Sequence, residues 1–122
     1  MPRFHHVNLG VSPGGIEAES AFLVDILGYR RIDPGDELRQ RGATWFEAAD
    51  GSQVHLSEDP EHHPAARAHV AVDYATDIDE VRGRLTGAAW KFASFDGLPA
   101  SQTILCKDPA GNRWELRGVS TG

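Results

Sequence analysis

The chain has 122 residues, 40% hydrophobic and 25% charged, the make-up of one ordinary globular domain. Its formal charge of −6 and the lack of a basic run argue against nucleic acid and anionic membrane as partners. No apolar stretch approaches the ~18 residues of a membrane span. Cys106 is the only cysteine, so neither an internal disulfide nor a cysteine-rich metal site can form.

Residues 3–11 alternate, with His5, Val7, Leu9 and Val11 on one face and Phe4, His6, Asn8 and Gly10 on the other, which predicts a strand. The start runs directly into this strand without the apolar core of a signal peptide, so a cytoplasmic location is expected. After the break at Ser12-Pro13-Gly14-Gly15, Phe22, Leu23, Ile26 and Leu27 fall at helical spacing between Ile16 and Leu27, and Gly28 supplies a left-handed stop. A short strand is expected over Tyr29–Asp33, followed by a turn at Pro34-Gly35-Asp36. Ala43–Ala48 and Gln53–Ser57 read as a hairpin closed by Ala49-Asp50-Gly51. The aperiodic stretch 58–67 reads as a linker between a first module, 1–58, and a second, 68–122.

The second module repeats the order of the first. Ala68–Tyr74 is a strand, and Asp77 with Glu80 resembles a capping box before a helix carrying Ile78, Val81 and Leu85. Gly87 is the expected helix end. Trp90–Ser94 is a strand, Phe95–Pro99 a loop and Gln102–Lys107 a strand; Asp108-Pro109-Ala110-Gly111-Asn112 then turns into a last strand, Arg113–Arg117. The expected fold is α+β, two tandem βαβββ modules whose curled mixed sheets form an open, barrel-like cavity.

The halves also match in detail. His6-Val7-Asn8-Leu9 returns 63 positions later as His69-Val70-Ala71-Val72. Gly51-Ser52-Gln53-Val54-His55-Leu56 returns 60 positions later as Gly111-Asn112-Arg113-Trp114-Glu115-Leu116. A lone histidine on a strand is usually a solvated or satisfied side chain. Here His6, His55, His69 and Glu115 sit at repeat-related positions and alternate away from the apolar face, which suggests one site for a divalent metal. Nitrogen and oxygen donors of this kind suit iron, nickel, zinc, manganese or cobalt. Asn8 and Gln53 share the faces of His6 and His55, while Arg113 and Arg117 share that of Glu115 and suit either an anionic substrate group or the surface. Trp90 and Phe92 are the aromatic pocket candidates; Trp45, Trp114 and Cys106 are expected in the core, and His62 and His63 in solvent. His5 falls on the apolar face and reads as structural or partly exposed.

Taken together, five motifs resemble the vicinal oxygen chelate superfamily, which includes glyoxalase I, extradiol dioxygenases, methylmalonyl-CoA epimerase and the fosfomycin and bleomycin resistance proteins. They are His6-Val7-x-Leu9-x-Val11, Phe22-x-x-x-Ile26-Leu27-Gly28-Tyr29, Asp50-Gly51-x-x-Val54-His55-Leu56, His69-Val70-Ala71-Val72 and Asp108-Pro109-Ala110-Gly111-Asn112-x-x-Glu115-Leu116. The resemblance implies that His6, His69 and Glu115 are ligands of the metal. His55 stands where glyoxalase I is expected to carry Glu and the epimerase Gln. Glu115 is then both ligand and the one carboxylate base at the metal. The activity expected is that of a glyoxalase-like lyase or isomerase acting on a small molecule chelated through adjacent oxygens. The alternatives are an iron(II) extradiol-type dioxygenase, thiol transfer to fosfomycin, and a drug-sequestering protein of the bleomycin-resistance kind. Because each half is marginal alone, a homodimer is expected.

Overall fold

The computed structural model describes residues 1–96 and 101–120. The chain divides into two compact units, Met1–His63 and Pro64–Gly122. Each holds one four-stranded mixed sheet, and among the described residues no helix is long and apolar enough to cross a membrane.

In the first unit β1 (His6–Val11) runs parallel to β4 (Gln53–Glu58). β3 (Thr44–Glu47) and β2 (Arg30–Ile32) then add antiparallel, giving the order β1-β4-β3-β2. Strand alternation sorts the two faces: Val54, Leu56 and Phe46 are buried, while Gln53, His55 and Trp45 lie on the opposite side and stay half-exposed. The helix expected over 16–27 forms as α1 (Ile16–Ala21) and continues as a π-helical turn, Phe22–Ile26. There Leu27 N–H reaches back five residues to Phe22 O, and the widened turn buries Phe22, Leu23, Ile26 and Leu27 together. Gly28 closes it with φ of +86°.

α2 (Asp36–Gln40) follows the expected turn at Pro34-Gly35-Asp36 and was not expected from the residues. This helix buries nothing, so it has no apolar period to read. Polar contacts hold it instead: Asp33 Oδ1 accepts from Gly35 N–H at 2.9 Å and from Arg39 Nη1 at 2.6 Å.

The second unit has the same topology. β5 (His69–Asp73) is parallel to β8 (Arg113–Val119), and β7 (Ser101–Lys107) and β6 (Phe92–Asp96) follow in the order β5-β8-β7-β6. Its core joins Ile78, Val81 and Leu85 of α3 (Ile78–Gly87) to Ile104, Cys106, Trp114 and Leu116. Burial raises the Cys106 thiol to about 11, with Asp108 adding to the shift, so it is an inert core residue.

Two local expectations are corrected, and the helix end between them holds. No capping box forms, because a 3₁₀ turn over Ala75–Asp77 leads into α3 and the Asp77 side chain makes no cap hydrogen bond. α3 ends at Gly87 as expected, and the left-handed residue follows two positions later at Ala89, with φ +53°. Phe95 and Asp96 pair with Thr103 and Gln102 as strand, not loop, while 97–99 of the expected loop lie outside the described residues.

The turn before β8 is built on Asp108, which is buried. Its Oδ1 accepts from Ala110 N–H and Asn112 N–H at 3.0 and 2.9 Å, and its Oδ2 accepts from Trp114 Nε1 at 2.9 Å. Gly111 is required there twice over: its φ is +84°, and a Cβ would stand 2.8 Å from Pro64 Cγ.

Candidate metal and substrate site

The parallel strand pairs carry the candidate donors in matching register. In the first unit His6 lies opposite Gln53, and His55 two rows further on lies opposite Asn8. In the second, His69 lies opposite Arg113, and Glu115 two rows further on lies opposite Ala71. Each unit therefore brings one histidine of its opening strand beside one donor of its closing strand, on the face turned from the core.

In the first unit the His6 and His55 rings stack, with centroids 4.0 Å apart and planes at 17°. Trp45, directly across from His55, covers its other face at 4.2 Å and 5°. Trp45 is thus a wall of the site and not a core residue, a correction to the sequence reading; Trp114 is the core tryptophan. Burial lowers the His55 imidazole to about 4, and His6 and then His5 add to the shift, so His55 is neutral at pH 7, the form in which imidazole binds metals. His55 Nε2–H donates to Gln53 Oε1 at 2.8 Å, leaving the lone pair on Nδ1. Ligation through Nε2 would require Gln53 to swing aside. Asn8 faces Ser57, whose hydroxyl donates to its Oδ1 at 3.0 Å.

Two other histidines stand beside the candidate residues of the first unit. His5 Nδ1 lies 2.8 Å from His6 Nδ1, so His5 is an exposed partner of a candidate ligand and not part of the apolar face. His62 is half-buried against β1: a Cβ at Gly10 would stand 2.7 Å from its Nδ1. It therefore occupies the face that carries His6 and Asn8, where the sequence suggested solvent; His63 is exposed as expected.

In the second unit His69 Nε2 and Glu115 Oε1 are 3.6 Å apart. Two donors held at about 2.1 Å from one tetrahedral ion sit roughly 3.4 Å apart, so this pair fits a divalent cation as it stands. The outer contacts fit as well. His69 Nδ1–H donates to Arg67 O at 3.0 Å, which leaves Nε2 as the nitrogen that faces the carboxylate. Arg117 Nη1 donates to Glu115 Oε2 at 2.9 Å and fixes the other oxygen. Within neither unit are three or more His, Cys, Asp or Glu side chains placed so as to hold a metal ion among the described residues. Each unit offers a pair.

Beside the second pair opens a cavity of about 650 Å³. His69, Glu115, Trp90, Phe92 and Arg113 line it, together with Arg67, Lys91 and Lys107, which the sequence reading did not single out. Trp90 is anchored by its Nε1–H donating to Lys107 O at 2.8 Å.

Solved structures share this architecture across nearly the whole chain. A Bacillus anthracis protein described as belonging to the glyoxalase family superimposes with a TM-score of 0.84 at 27% identity, covering 98% of this chain and 96% of that one. A glyoxalase/dioxygenase from Nostoc punctiforme gives 0.79 at 23%, covering 96% and 90%. The fosfomycin resistance protein of Listeria monocytogenes, in complex with manganese(II) and sulfate, gives 0.71 at 19%, covering 99% and 95%. This is the vicinal oxygen chelate fold. The structural neighbours of the chain are members of that superfamily, as the motifs implied. No protein-family profile matches the sequence, and no curated protein does. Within the vicinal oxygen chelate framework, the two donor pairs stand on the opening and closing strands of each βαβββ unit.

Proposed function

We propose that the protein is a metal-dependent enzyme acting on a small molecule held through adjacent oxygens, a glyoxalase-like lyase or isomerase, with His6, His55, His69 and Glu115 as the ligands of one divalent ion. The observation that carries this reading is the matched register of the two donor pairs, His6 with His55 and His69 with Glu115, on the same rows of two equivalent strand pairs. A solvated polar face would need no such correspondence. The fold neighbours lend weight at a coarser level, since one of them binds manganese(II).

The ion, once bound, would supply positive charge to stabilise an oxyanion on the chelated substrate. The chain's own residues do the rest. Glu115, held through Oε2 by Arg117, would have to release the ion from Oε1 to accept a substrate proton there, so it would serve as ligand and base in turn. Trp45 shields one side of His55 from water, and the 650 Å³ cavity has room for a small substrate. The reading places the protein in the cytoplasm as a homodimer, in keeping with a single buried thiol.

Metal analysis of protein purified without oxygen tests the proposal. Nickel, zinc, cobalt or manganese is expected, with His69→Ala and Glu115→Gln each abolishing its retention. Iron with oxygen consumption would shift the assignment to an extradiol-type dioxygenase. Failure of the wild-type chain to retain or bind any divalent ion would leave a binding protein as the alternative.

A further inference from the structure

Four of the chain's twelve basic side chains, Arg67, Lys91, Lys107 and Arg113, line the one cavity beside His69 and Glu115. None of the four forms a salt bridge among the described residues. In the first unit, by contrast, four of the five arginines, Arg30, Arg31, Arg39 and Arg41, are paired with carboxylates.

Their placement is also costly. Lys107 and Arg113 are directly opposite each other in the antiparallel pairing of β7 with β8, where like charges destabilise a sheet. Lys91 directly precedes β6 and Arg67 stands two residues before β5, so all four strands bring a cation to the same end of the sheet. The carboxylates lining the cavity are Asp108 and Glu115, and Asp108 spends both oxygens on its own turn and on Trp114. The cavity therefore keeps an excess of positive charge, on a chain whose net charge is −6. Its remaining walls are apolar, with Trp90 and Phe92 as the aromatic surfaces.

We infer that this cavity binds a small organic anion, an oxyanion such as a carboxylate or phosphonate attached to an apolar body, with Arg67, Lys91, Lys107 and Arg113 on the anionic group and Trp90 and Phe92 on the body. The inference deepens the proposed function, because that anion is the substrate class it assigns to the site. It stands on the cavity's own charges and does not need the metal.

Calorimetric titration of the full-length, metal-stripped protein tests it with four probes: phenylphosphonate, benzoate, the neutral isostere benzamide and inorganic phosphate. Phenylphosphonate or benzoate should bind, and whichever binds more tightly identifies the head group. Benzamide and phosphate should each bind at least about tenfold more weakly, since a charge-assisted hydrogen bond or a buried apolar body is worth that much. Lys107→Met and Arg113→Met should each cost the anion about tenfold and leave benzamide unchanged. Lys107→Met should also raise the thermal midpoint, by relieving the opposed charges. Should a variant fail to fold, added potassium chloride on the wild type gives the same discrimination, weakening the anions and not benzamide. Benzamide matching the anions, phosphate matching phenylphosphonate, or anion affinity indifferent to both variants and to salt would overturn the inference. Divalent metal binding, measured on the same proteins, separates the two ideas. Anion binding without metal binding sinks the proposed function alone, and metal binding without anion binding sinks this inference alone.

Discussion

His6 and His5 share a single hydrogen bond between their Nδ1 atoms. Two neutral imidazoles can make it only if one donates and the other accepts. For His6 to present a bare Nε2 to a metal, His6 must donate and His5 accept, so metal binding selects one tautomer of the pair. His5→Ala is therefore expected to weaken divalent metal binding by roughly tenfold without unfolding the protein, as loss of an outer-sphere partner does. Titration calorimetry checks it, and unchanged affinity would remove His5 from the site. His55 gives a second expectation. Its imidazole ordinarily titrates near 6.5 and is held at about 4 in the folded chain. Between those values the unfolded chain binds the proton and the folded one does not, so stability falls as pH drops from about 6.5 toward about 4. Comparing urea midpoints of metal-free wild type and His55→Gln at pH 7 and 4.5 should show the larger loss in the wild type. Equal losses would contradict it.

Among the elements, β8 is the one on which the second unit turns. It pairs with β5 and β7, carries Glu115 outward and buries Trp114 and Leu116 inward. At Gly118 it passes so close to the segment before α3 that a Cβ would stand 2.5 Å from both Ala75 O and Ile78 Cβ. Gly118→Ala should destabilise the protein by about 2 kcal/mol, because the clash is with backbone and a fully buried side chain. Gly83, within α3, has nothing within 4 Å of its missing Cβ. Gly83→Ala should stabilise by up to roughly 1 kcal/mol. Denaturant midpoints moving in opposite directions would check the pair. Here the sequence was half legible: Ile78, Val81 and Leu85 announced the helix by their spacing, whereas the approach at Gly118 joins segments some 40 positions apart and left no local trace.

On the scale of the whole molecule, each unit supplies two of the four proposed ligands, so one site needs one unit of each kind. Both units can come from one chain or from two. We propose that in the homodimer each site draws its two units from two chains, and mixing chains tests it. His6→Ala and Glu115→Ala are each expected to lose the metal, and the mixed dimer to regain it in the one site that carries no lesion. If nothing is regained, each site belongs to a single chain. A monodisperse monomer at micromolar concentration would remove the dimer altogether.

The sequence alone determined the periodic features: which segments are strands, which face of each meets the core, and that the two halves share one plan. Alternation at period two and glycines at turns are local, and they put His6, His55, His69 and Glu115 on the faces turned from the apolar layer. Strand register decided the remainder, since it depends on pairings between distant segments. Only the tertiary structure stacked Trp45 on His55, tied His55 to Gln53, and set Glu115 within 3.6 Å of His69. It alone lined up Lys107 against Arg113 in the lining of a cavity, because a charge on a strand reads as solvated until its neighbours across the sheet are known.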